Sequence, residues 1–202
     1  LTFSSGTTSS ASSGELAIGT GTAAAGKGGS IAITVGNAAI NKGGVITILG
    51  GAAVENTATN DGDGGHVFVA AGASNSPTAG GQVGGIVSIS GGLTSSKYGG
   101  HVYVATGKNT LNTGGFMSLF TGQGVATSSG SIVVKTTDAG TAGVSGHLTF
   151  SSGTTSSASS GELAIGTGTA AAGKGGSIAI TVGTGATLAG GVVTLSAGQG
   201  AT

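Results

Sequence analysis

The stretch Gly28-Gly29-Ser30-Ile31-Ala32-Ile33-Thr34-Val35-Gly36 decides how this chain is read. A glycine pair leads into apolar side chains at every second position, and a glycine ends the run. Period-2 alternation puts Ile31, Ile33 and Val35 on one side of an extended backbone, the pattern of a strand with one buried face. β-branched side chains fit a pleated surface well, which strengthens the strand reading.

The same cassette, of the form Gly/Ser-Gly-x-Φ-x-Φ with Φ apolar, runs along the whole chain. Its apolar pairs are Leu1 and Phe3, Leu16 and Ile18, Ile31 and Ile33, Ile46 and Ile48, Val67 and Val69, Val87 and Ile89, and Val102 and Val104. They continue with Met117 and Leu119, Ile132 and Val134, Leu148 and Phe150, Leu163 and Ile165, Ile178 and Ile180, and Val193 and Leu195. Most successive cassettes lie 15 residues apart; two longer steps, of 21 and 20, fall on either side of Val67. Residues 1–36 recur without change as residues 148–183, an offset of 147 that spans nine cassettes. The domain reading is therefore one nine-cassette repeat over 1–147 and the start of the next copy over 148–202. Leu1 falls in mid-pattern, so the expectation is a window on a longer array.

Composition fits a repetitive material and excludes several classes. Glycine supplies 46 of 202 residues, roughly three times its usual share. With Pro77 as the one proline the chain cannot form a collagen triple helix. Charged residues make up 6% and the formal net charge is zero, without the basic surplus that nucleic-acid binding demands. There is no cysteine for a disulfide, and no apolar run reaches the roughly 18 residues of a membrane span. Glycine recurs too often for a long helix, since each interior glycine costs about 1 kcal/mol there.

A 15-residue unit cannot bury its apolar pair alone, whereas stacked units share a continuous core. The expected fold is accordingly all-β, a β-solenoid with two cassettes per rung, or three, stacked into a filament. Its core would hold Ile31, Ile33, Ile46, Ile48, Val67, Val69, Val102, Val104, Ile132, Val134, Leu163, Ile165, Ile178 and Ile180. Propellers need about 40–50 residues per blade, and a sandwich would vary its loops more. Residues 64–72 and 99–107 match best among the cassettes. Under a two-cassette rung this stacks Phe68 on or near Tyr103 and makes His66 and His101 neighbours. The two long steps read as loops over 52–63 and 73–83, with Pro77 in the second.

Chemistry-bearing motifs are sparse. Residues 21–28, repeated at 168–175, resemble a phosphate-binding loop, but they lack the final Ser or Thr and lead into an extended run instead of a helix. Asp61 and Asp63, with Asn60, form the one candidate cation site, for calcium, which wants six to eight oxygens; no other cofactor is expected. His66, His101 and His147 share the slot just before the first apolar residue, facing outward, and too few converge for zinc. No G-x-S-x-G elbow is present, the acids are Glu15, Glu55, Asp61, Asp63, Asp138 and Glu162, and arginine is absent. Catalysis is not expected.

The cassettes at residues 145–153, Ser-Gly-His-Leu-Thr-Phe-Ser-Ser-Gly, and 28–36 resemble the Gly/Ser/Thr-rich repeats of large secreted proteins of microalgae and other microbes. Bacterial adhesins with β-solenoid stalks carry similar ones. The resemblance implies an extracellular, filamentous or cell-surface role and transfers no catalytic residue. The functional expectation is thus a secreted structural protein, a fibre, sheath or stalk component that self-associates end to end. The alternative is a module binding carbohydrate or a surface through Phe68, Tyr103, Phe116, Phe120 and Tyr98; a further one, ice binding, lacks a regular outward threonine file.

Overall fold

The computed structural model describes residues 1–9, 12–53, 62–74 and 82–200. The chain divides into two units, Leu1–Ala105 and Thr106–Thr202. Each is built from extended cassettes joined by tight turns. The turns bend at 24–26, 39–41 and 95–97 in the first unit, and at 110–112, 125–127, 141–143, 156–158, 171–173 and 186–188 in the second.

Local chemistry explains where the chain bends. Asn109 opens one turn by accepting, on Oδ1, the backbone N–H groups of Leu111 at 2.8 Å and Asn112 at 2.7 Å. Thr94 and Thr155 act the same way through Oγ1, accepting from Ser96 N at 3.4 Å and Ala158 N at 3.3 Å. These short polar side chains offer the backbone a partner that an extended run withholds. In the alanine turns Gly26 and Gly173 do the work instead, at φ +126° and +128°, a region that L side chains rarely enter.

Among the described residues, six junctions between cassettes are closed by a glycine-to-glycine backbone bond. Backbone bonds join Gly65 N to Gly51 O, Gly85 N to Gly72 O, Gly100 N to Gly92 O, Gly115 N to Gly107 O, Gly130 N to Gly122 O and Gly191 N to Gly183 O. The donor is always the second glycine of a cassette. The same glycine faces the residue that ends the preceding apolar row, usually nine positions earlier. A Cβ on Gly29 would stand 2.6 Å from Thr20 Cβ, and one on Gly100 2.6 Å from Gly92 N. At all twelve second glycines such a Cβ meets a neighbouring chain atom within 3.6 Å, at ten of them within 3.2 Å, whereas among the first members the space is open at Gly28, Gly43 and Gly175 and no contact elsewhere is shorter than 3.5 Å. This accounts for the sequence: the first position accepts serine, as at Ser13, Ser129, Ser145 and Ser160, and the second is glycine every time.

Among the six bonded mouths the length of the bond follows the residue at the end of the apolar row. Where it is Gly50 or Gly91 the bond is 2.7 or 2.8 Å; with Ala71 it is 2.9 Å. Thr106 and Thr121 give 3.0 Å, and Val182 gives 3.3 Å. A larger side chain lodged against the facing glycine holds the two backbones apart.

The expected all-β solenoid is not found. Among the described residues there is neither helix nor strand, and no sheet or barrel forms. Nor is any described residue buried; Gly124 and Thr136 are half-buried and the rest exposed. The intended core shares this fate, Ile31 being 52% and Ile33 71% exposed. No rung of two or three cassettes exists, and Phe68 does not stack on Tyr103: each ring meets its own histidine. The physical reason is that alternation assigns side chains to a face without supplying a partner strand. A ladder needs repeated N–H to O=C pairs between neighbours, but among the described residues consecutive cassettes share at most one such bond, and only at six junctions. Ordering each glycine-rich residue still costs about 1–2 kcal/mol of backbone entropy.

Surface area gives the scale of what is left uncovered. The chain exposes 19911 Å². At 18.4 kDa a folded monomer would keep about 8,200 Å² and the unfolded chain about 26,700 Å². The single chain therefore removes roughly a quarter of its unfolded surface from water, where a globular domain of this size removes about 70%.

Candidate functional site

Two features present themselves outward: the apolar rows and a pair of histidine–aromatic clusters. In most rows the first apolar member is the better covered, as with Val102 at 50% against Val104 at 71%; Leu1 with Phe3 and Ile132 with Val134 reverse the order. The row then ends on a small or β-branched residue such as Thr20, Val35, Thr106 or Val182, on the same side of the backbone by alternation. Alternation already placed Val35 beside Ile31 and Ile33, but not the contact of this third member with a glycine of the next cassette. The signal for that contact was available in the usual step of nine to a glycine that is never serine. Thr167 adds a hydrogen bond here, its Oγ1 donating to Gly176 O at 3.3 Å.

The clusters lie in the first unit. His66 and Phe68 bring ring centroids to 5.6 Å at an interplanar angle of 51°, and His101 and Tyr103 to 5.8 Å at 53°. Side chains two apart in an extended run share a face, which is why one local pattern, His-Val-Phe/Tyr-Val, yields the same geometry twice. Phe68 and Tyr103 remain 88% and 86% exposed. His147 occupies the same slot but is followed two residues on by Thr149, not by a ring.

Of the other sequence candidates, Asp61, Asn60, Glu55 and Pro77 lie outside the described residues, as do most of the 52–63 loop and much of the 73–83 loop. Asp63 is exposed. No group of three or more His, Asp or Glu among the described residues stands close enough to hold a metal ion. The phosphate-loop-like segments at 21–28 and 168–175 are turns ending on Gly26 and Gly173. Among the described residues no cavity is formed, and no helix is long and apolar enough to cross a membrane.

No family model matches the chain, and no curated protein or solved structure is found similar to it.

Proposed function

We propose that the chain is a structural repeat protein, a component of an extracellular fibre, sheath or stalk that works by associating with further copies of itself. The observation that carries this reading is the uncovered apolar surface: every cassette presents its apolar row, and no described apolar residue is buried. Large exposed apolar surface marks a site of association. Covering one Val, Leu or Ile is worth roughly 1.5–3 kcal/mol, so the gain rises with the number of cassettes in contact. Charge does little to oppose it, because 6% charged residues sum to zero and a chain near neutrality lacks the repulsion that keeps proteins monomeric.

On this reading order and assembly are one process. A chain that leaves its rows bare has little to offset the entropy of ordering, so its stability depends on its concentration. Repeat number then sets the length of contact, which is what a fibre or stalk requires. No catalytic step is assigned to it.

Sedimentation velocity and negative-stain electron microscopy over a concentration series test the proposal. Growth into elongated assemblies above a threshold concentration is the expected result. A monodisperse monomer at every concentration would refute it.

A further inference from the structure

We propose that the two histidine–aromatic clusters, His66 with Phe68 and His101 with Tyr103, are platforms for a neutral polysaccharide. The duplicated geometry is the starting point. Ring separations of 5.6 and 5.8 Å and tilts of 51° and 53° repeat closely at two places in the first unit. In each, an exposed aromatic face and an imidazole make a shallow V open to solvent. The other described cassettes carry Ala, Thr, Ser or Val where these carry Phe or Tyr.

The ligand class follows from what the two sites share and lack. The aromatic face offers apolar stacking to the C–H face of a sugar ring, and the imidazole is a hydrogen-bonding group for its hydroxyls. Among described residues the nearest charges in sequence differ in sign, Asp63 before the first cluster and Lys97 before the second. No ionic group is common to both, so charge does not select the ligand. Among the described residues there is no cavity to enclose a small molecule. A flat, open platform binds one sugar weakly, and useful affinity comes from several platforms meeting one polymer. A neutral polymeric glycan meets all of these conditions. The inference is independent of self-association, which uses the apolar rows.

The test is retention of the full chain on microcrystalline cellulose and on chitin, with alginate gel as the anionic comparison. The parent chain should be depleted from solution by at least one neutral polymer. The double variant Phe68→Ala/Tyr103→Ala should lose about tenfold or more in partition, since it removes both stacking contacts along one polymer. His66→Ala/His101→Ala should weaken retention, and His147→Ala, which lacks a ring partner, should leave it unchanged. Sedimentation of each variant should match the parent. Failure of the parent to bind either neutral polymer, equal retention of the aromatic double variant, or retention on alginate alone would overturn the proposal. So would a loss of retention that only follows altered sedimentation, because the rings would then serve self-association.

Discussion

Replacing Gly100 by alanine should open the turn that precedes it, whereas the same change at Gly99 should not. A Cβ at position 100 would lie 2.6 Å from Gly92 N and 3.3 Å from Gly91 C, both backbone atoms that cannot swing aside. At position 99 the nearest atom is Gly92 O at 3.7 Å, an ordinary contact. Relieving the first clash separates the two chains and lengthens the 2.8 Å bond from Gly100 N to Gly92 O. A net backbone hydrogen bond is worth about 0.5–1.5 kcal/mol, so losing it lowers the closed-to-open ratio by about two- to twelvefold. Gly99→Ala should leave that ratio unchanged or raise it slightly, because alanine restricts the open chain more than glycine does. The readout is the temperature coefficient of the residue-100 amide shift, with nuclear Overhauser contacts across the turn mouth, in the full chain. Residues 91–107 are unique in the sequence, so their signals are separable from those of the duplicated segment. Equal behaviour of the two variants, or a closed turn in Gly100→Ala, would refute the steric account of the second glycine.

The dependence of turn closure on the facing residue should be transferable: Gly91→Val should stretch the Gly100 N to Gly92 O bond from 2.8 Å toward the 3.3 Å seen opposite Val182, and Val182→Gly should shorten its own, both visible in the same amide shifts. Asn109→Ala removes the acceptor of two turn bonds and should cost about 1 kcal/mol of turn closure, read at the Leu111 and Asn112 amides, with Asn109→Asp restoring it. Ile46→Asp should raise the threshold concentration for assembly by about ten- to 150-fold, the equivalent of one lost apolar burial of 1.5–3 kcal/mol; an unchanged threshold in sedimentation would remove that row from the contact.

Much of the local arrangement was legible in the residues. The apolar doublets and the turns between them follow from alternation and turn chemistry, because these act over two to four residues. The glycine pairs were legible as turn markers, but their unequal roles were not, since the second member is constrained by a chain nine residues away. The β-solenoid failed for a related reason. Ile31 and Ile33 declare a face, but whether another strand lies against it depends on contacts across cassettes, and the repeat allows two, three or no cassettes per rung with the same pattern. The His–aromatic contacts likewise replaced the expected Phe68–Tyr103 stack: neighbours two apart need no rung to meet, while cassettes two apart do.

The duplicated segment separates the two levels. Residues 1–36 and 148–183 sit in different units, yet they bend at 24–26 and at 171–173. Gly26 and Gly173 take φ +126° and +128°. A Cβ on Gly29 or Gly176 would meet Thr20 or Thr167 at 2.6 and 2.8 Å. Identical sequence thus produced the same turn in two settings, because sterics and short-range hydrogen bonds are complete within some ten residues. Only the tertiary structure decided that the apolar rows stay uncovered within one chain. Burial is a property of pairs of distant segments, and a single bond at some of the turn mouths does not bring those segments face to face.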